Sequence, residues 1–178
     1  MEPRLKLPIV RALRTDDDLQ AVTALIHAAY APHAARGLRF WGTHQSVDDT
    51  ARRFASGQGL VAEVGGEAVG TVTLRRPQPD SPVAAYRDPF AWSLGQFAVA
   101  PAHKGRGVGR ALHRFALQRA VSQGARTMLV DTAAPAQELI EMMGWEEKKQ
   151  KSKVKSQKEI FIELTKDEKI KRINPPEI

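Results

Sequence analysis

The sequence predicts an α/β fold on one mixed sheet, and three stretches carry that prediction. Residues 94–99 form an apolar run of strand length, followed by a glycine-rich turn and a helical stripe. In that stripe Val108, Ala111, Leu112, Phe115 and Ala116 recur at i, i+3, i+4, i+7 and i+8, the pattern of a helix packed on a sheet. Residues 127–131 form a second buried strand, so the helix at 107–122 reads as the crossover between two neighbouring parallel strands. Residues 59–64 and 67–74 flank Gly65-Gly66, the pattern of an antiparallel hairpin.

The remaining elements follow in chain order. Residues 9–13 read as a first strand. Thr15 or an early member of Asp16-Asp17-Asp18 caps the next helix, the other acids complementing its dipole. Leu19, Val22, Leu25, Ile26 and Ala29 give that helix its apolar stripe, and it is expected to end near Tyr30, ahead of Pro32. Residues 33–45 read as a loop rich in glycine, basic and aromatic residues: Arg36, Gly37, Arg39, Phe40, Trp41 and His44. Ser46 then caps a helix carrying Val47, Thr50, Ala51 and Phe54, with Asp48 and Asp49 in its first turn. Residues 75–91 hold four prolines and read as a loop whose length suits the rim of an active site. A short helix is expected at 136–143.

Beyond Gly144-Trp145 the composition changes. Nine of the eleven lysines lie there, whereas fifteen of the sixteen arginines lie before it. Residues 146–158 read as a solvated segment with almost nothing to bury. Residues 159–164 alternate like a last strand, and 166–178 read as a tail. The chain therefore divides into a folded domain at 1–145 and a lysine-rich C-terminal segment at 146–178.

Composition narrows the function. With 178 residues the chain is one domain of ordinary size. It has no cysteine, hence no disulfide framework, thiolate metal site or cysteine nucleophile. The five histidines show no metal-binding spacing. No apolar run approaches ~18 residues and the N-terminus lacks a signal peptide's apolar core, so a cytoplasmic protein without a membrane span is expected. The net charge of +7 suits an anionic cofactor as well as a polyanion. No interleaving of basic and aromatic residues accompanies it, which disfavours nucleic acid.

The most informative stretch is Lys104-Gly105-Arg106-Gly107-Val108-Gly109. Glycines at a strand-to-helix turn let successive N–H groups face a ligand with no Cβ in the way. The helix N-terminus adds roughly half a positive charge, and Lys104, Arg106 and Arg110 add full ones. A phosphate, most naturally a pyrophosphate, fits such a turn. The dinucleotide fingerprint G-x-G-x-x-G fails, because Arg110 and Leu112 occupy the third-glycine positions in the two frames. The P-loop pattern fails for want of Gly-Lys-Ser/Thr. A tight turn with solvated cations is the bland alternative.

Phe97-Ala98-Val99-Ala100-Pro101 followed by Lys104 and the pair Gly107, Gly109 resembles motif A of the GCN5-related N-acetyltransferase (GNAT) family. Lys104 stands where Arg or Gln is usual. The resemblance covers roughly residues 9–144 and implies a GNAT-like fold in which strands 94–99 and 127–131 splay apart around the pantetheine arm of acetyl-CoA. It assigns acetyl-CoA binding to Phe97, Ala98, Val99, Lys104, Gly105, Arg106, Gly107, Val108, Gly109 and Arg110. It also makes the first helix and the segment after it one wall of the acceptor site, where Tyr30, Phe40 and Trp41 are candidates. The implied activity is direct transfer of an acetyl group to a primary amine of a small molecule, with a main-chain N–H of 97–99 stabilising the thioester oxygen.

Two departures qualify the resemblance. Many members carry a tyrosine before the Gly-aromatic pair as acid to the CoA thiolate, but only Tyr30 and Tyr86 exist in this chain. Tyr86 is the candidate put forward. Many members also place a glutamate on the central strand, where this chain has Gln96, so Glu63 and His103 acting through water are the candidate bases. Asp131 reads as a structural cap. Two rival readings remain: an acyl-CoA-binding or sensor domain without turnover, and a basic protein binding nucleic acid or a partner through its lysines. The acceptor and the oligomeric state, a homodimer included, are left open.

Overall fold

The structure, a computed structural model, describes residues 7–132, 158–164 and 170–173. Of the described residues, those up to Thr73 and again over Gln96–Ala116 form one compact unit; Leu74–Gly95 and those from Leu117 onward form a second.

In the first unit β1 (Ile9–Ala12) pairs antiparallel with β2 (Gly57–Val64), in register from Ile9↔Glu63 to Ala12↔Leu60. β3 (Glu67–Arg75) follows β2 through Gly65 and Gly66, whose φ of 64° and 87° are the handedness of a type I′ hairpin turn. The last residues of β4 (Ala91–Val99) lie next to β3. Against these strands stand α1 (Leu19–Ala35), α2 (Trp41–His44), α3 (Val47–Ala55) and the first turns of α5 (Val108–Ser122). Val22, Ile26 and Ala29 of α1 pack with Phe54 and Ala98 to form a buried cluster, flanked by Leu13, Leu19, Leu25 and Tyr30. Each large side chain so buried contributes roughly 1.5–3 kcal/mol.

Asp18 is the cap of α1, its Oδ1 accepting from the Ala21 N–H at 3.1 Å. Contrary to expectation, α1 does not stop ahead of Pro32 but runs through it to Ala35. Pro32 removes one main-chain bond, a local loss that the buried stripe of Val22, Ile26 and Ala29 outweighs. The helix ends five residues later at Gly37, whose φ is 74°. There the Gly37 N–H donates to Ala34 at 2.9 Å and the Leu38 N–H to His33 at 3.0 Å, the paired bonds of a Schellman end. The segment expected as a loop over 33–45 thus holds the end of α1 and the single turn of α2. α3 opens as expected with Ser46, and Asp49 completes a reciprocal capping box.

In the second unit β4 pairs in parallel with β5 (Thr127–Thr132), from Ala91↔Thr127 to Leu94↔Val130. The expected βαβ strands are therefore neighbours, and β4 begins three residues earlier than expected. The 75–91 connection contains a short helix, α4 (Ala84–Arg87). β5 pairs antiparallel with β6 (Lys158–Leu164), the expected last strand, and β6 pairs antiparallel with β7 (Ile170–Ile173). The expected tail thus contributes a further strand. The expected helix at 136–143 and the charged run at 146–157 lie outside the described residues.

Candidate functional site

β4 delivers the chain to the glycine-rich turn. The Ala100 N–H donates to Val69 at 2.8 Å, Pro101–His103 form one 3-10 turn, and the chain then loops through Gly105 (φ 72°) and Gly107 (φ 81°) into α5. Side chains other than glycine pay about 1 kcal/mol or more in that left-handed region. Nothing lies within 4 Å of where a Cβ would stand on either glycine, so the space beside both is open. Lys104, Arg106 and Arg110 are exposed around it, while Val108 and Gly109 are buried. The first N–H groups of α5 have no carbonyl behind them and face the turn's mouth with the positive end of the helix dipole. Gly70 on β3 sets how close α5 comes: a Cβ there would stand 2.9 Å from Val108 Cγ1 and 3.0 Å from Leu112 Cδ1.

Gln96 stands within β4 in an unusual backbone conformation. Among the described residues it is the one non-glycine with positive φ, 51°, and it is 4 % exposed. Both ends of its amide are engaged: Nε2 donates to Thr73 Oγ1 at 3.0 Å, and Oε1 accepts from Gln45 Nε2 at 2.6 Å. Gln45, 1 % exposed at the end of α2, also donates to Thr50 Oγ1 (2.6 Å) and accepts from Arg53 Nη1 (2.8 Å). Thr23 Oγ1 of α1 lies 2.8 Å from Thr50 Oγ1, and His27 Nε2 donates to the Gln45 carbonyl at 2.8 Å. A continuous buried polar chain thus joins α1, α2, α3 and β3 to the one strained residue of β4.

Of the residues expected at the acceptor wall, the structure brings Tyr30 and Phe40 together with their ring centroids 6.5 Å apart, and adds His33 at 5.8 and 5.5 Å from them. Gly42 lies against the face of Tyr30, since a Cβ there would be 2.7 Å from the ring. The Tyr30 hydroxyl donates to the Phe97 carbonyl at 3.3 Å, which places this cluster at the end of β4. Trp41 is 58 % exposed and stacks on His44, with centroids 5.8 Å apart.

Of the three expected catalytic groups, Glu63 and His103 lie in the first unit and Tyr86 in the second. Glu63 is held by Arg11, whose Nε donates to Oε1 at 2.9 Å and whose Nη2 donates to the same oxygen. Asp17 grips the same guanidinium with both oxygens, at 2.8 and 2.7 Å. Bonding to Arg11 holds both carboxyls below the usual range, so Glu63 is a weak base. Tyr86 is 6 % exposed and packs with Ala91 and Leu129 in the second unit, an interior position at odds with a proton donor. His103 is half-buried at the start of the glycine-rich turn, and its Nδ1 has no hydrogen-bond partner among the described residues.

The family is decided by comparison with known proteins. The sequence profile described as "Acetyltransferase (GNAT) family" matches residues 26–145. The chain belongs to the GNAT family. A curated relative, the S-(2-succino)cysteine N-acetyltransferase of Bacillus subtilis (strain 168), is 30 % identical over 112 residues. That match takes in 63 % of this chain and 62 % of the relative's length. Among solved GNAT structures, the domain of S. lividans PAT superposes with a TM-score of 0.65 at 21 % identity, covering 87 % of this chain and 89 % of that one. A GNAT acetyltransferase from Brucella melitensis, in complex with acetyl-CoA, superposes with a TM-score of 0.56 at 21 % identity, covering 79 % and 83 %.

Acetyl-CoA is the acyl donor of the GNAT family, and the chemistry of this chain's turn suits a pyrophosphate: two left-handed glycines with open space beside them and three exposed cations stand at a helix N-terminus. Sequence reasoning found that turn and missed the polar chain behind Gln96. One signal was present, since Thr50 occupies a place in the apolar stripe of α3, and a hydroxyl there asks for a buried partner.

Proposed function

We propose that this protein transfers the acetyl group of acetyl-CoA directly to a primary amine of a small molecule. The observation that carries the reading is the 104–110 turn, continuous with the end of β4. Bound acetyl-CoA would supply the acetyl group as a thioester at that strand end. Gly105, Gly107 and the first turn of α5 hold the pyrophosphate, aided by Lys104, Arg106 and Arg110, and the main chain of Phe97, Ala98 and Val99 aligns the pantetheine arm and the thioester oxygen. The attacking nitrogen forms the new C–N bond as the C–S bond breaks; the amine's proton leaves through water to His103, and the departing sulfur takes a proton from Tyr30. Tyr30 replaces Tyr86 in that role because its hydroxyl is already at Phe97.

A second reading, binding of acyl-CoA without turnover, is favoured by one observation: Gln96 stands on the central strand with both ends of its amide hydrogen-bonded and no capacity to take a proton. Calorimetry with acetyl-CoA, together with thiol release over a panel of amines, separates the two. Binding with turnover supports transfer, and binding without it supports the sensor. Gly107→Glu places a carboxylate where the pyrophosphate belongs, in a backbone conformation that glycine favours. It should weaken acetyl-CoA at least a hundredfold; unchanged affinity would refute the assignment of the turn.

A further inference from the structure

We infer that the acceptor is a small amine that also bears a carboxylate, an amino acid or a derivative of one, held by the cationic and aromatic wall of α1 and α2. The inference rests on the acetyltransferase reading above and names its substrate class.

Charge on this wall has one sign. From Leu19 to Val47 the chain contains no aspartate or glutamate, while the same span carries Arg36 and Arg39. The Schellman end of α1 turns the chain at Gly37, so Arg36 and Arg39 flank the turn and the next residue, Phe40, joins Tyr30 and His33. The Tyr30 hydroxyl ties that ring cluster to the Phe97 carbonyl, beside the strand end assigned to the thioester. Both arginine side chains are exposed, and among the described residues neither makes an ion pair or a hydrogen bond. Nδ1 of His33 is a buried polar atom left without a partner among the described residues.

Elsewhere in this unit Asp16, Asp48 and Glu67 are exposed, and the other described acids are committed. Asp17 and Glu63 hold Arg11, Asp49 closes the box with Ser46 and holds Arg52, and Asp18 caps α1. The central strand presents the neutral Gln96. A polyamine or a lysine-rich peptide would therefore bring cations to free guanidinium groups. A carboxylate would instead find a planar donor fork, with Phe40 and Trp41 to cover the rest of the molecule.

Matched amines test this on the full chain. Phenylalanine is compared with phenylalaninamide, and glutamate with its diamide; spermidine represents polycations. Turnover is read as kcat/KM from thiol release, and binding by calorimetry in the presence of CoA. We expect the carboxylate-bearing member of each pair to be favoured at least tenfold. That preference should shrink about tenfold in the Arg36→Ala, Arg39→Ala double variant, be partly kept by the double Lys variant, and leave the acetyl-CoA Kd unchanged. Turnover with neutral or polycationic amines preferred would overturn the inference and leave the acetyltransferase reading standing. Selective binding of carboxylates without turnover would do the reverse. If the double variant lost acetyl-CoA affinity while amine preference stayed the same, the arginines would serve the cofactor and the inference would fall.

Discussion

Two side chains at the end of β4 do different work, and they can be separated. The Tyr30 hydroxyl donates to the Phe97 carbonyl, so Tyr30→Phe keeps the ring against Gly42 and Phe40 while removing the proton. Turnover is expected to fall at least a hundredfold with little change in acetyl-CoA affinity, measured by steady-state kinetics and calorimetry. Gln45 acts by holding Gln96 in place. Removing its amide takes the buried Gln45 donor from Gln96 Oε1 and from Thr50 Oγ1, and frees a backbone conformation that costs on the order of 1–3 kcal/mol. Gln45→Ala is expected to lose about 2 kcal/mol in urea denaturation. It should also weaken acetyl-CoA, because Phe97 follows Gln96 directly. A stability loss with cofactor affinity intact would limit Gln45 to the fold.

Among the elements, α5 depends on Gly70. Gly70→Val would force Val108 and Leu112 away from β3, at a cost of about 1–3 kcal/mol for overpacking. Since Val108 opens α5, the same push moves the N–H groups at the turn, and acetyl-CoA affinity should fall together with Tm. The hairpin, the capped α3 and the strand–turn–helix around Gly107 were legible because each is written in a few neighbouring residues. The extent of α1 was not, since the rule for Pro32 weighs one lost bond against nothing, whereas the folded helix sets it against buried apolar surface and a Schellman end. The support of Gln96 was not legible either: Gln45 and Gln96 are 51 residues apart, and only the tertiary structure shows one amide facing the other.

For the whole molecule, the response to pH follows from one buried imidazole. His113 on α5 is 8 % exposed, and burial pushes it from its ordinary value down to about 4. The unfolded chain therefore binds a proton below about pH 6.5 that the folded chain refuses until about pH 4. Stability is full above that window and falls as pH drops through it. Asp17, whose carboxyl is lowered chiefly by bonding to Arg11, and Asp49, lowered to about 2 chiefly by the Ser46 N–H, act at lower pH in the same sense. Urea denaturation should show a loss of about 2 kcal/mol between about pH 7.5 and 5. His113→Leu should abolish most of that loss, and an unchanged slope would place its origin elsewhere.

The pairing of β6 with β5 has a consequence for solubility. Thr127–Thr132 is six residues long with Met128, Leu129 and Val130 in its middle, and without β6 its outer ladder of main-chain groups would template pairing with other chains. β6 covers that edge, and β7 moves the border of the sheet to four residues that include Lys171 and Arg172. A short, charged border resists edge-to-edge association. A chain cut after residue 145 is therefore expected to associate where the full chain does not, which light scattering on the two would show.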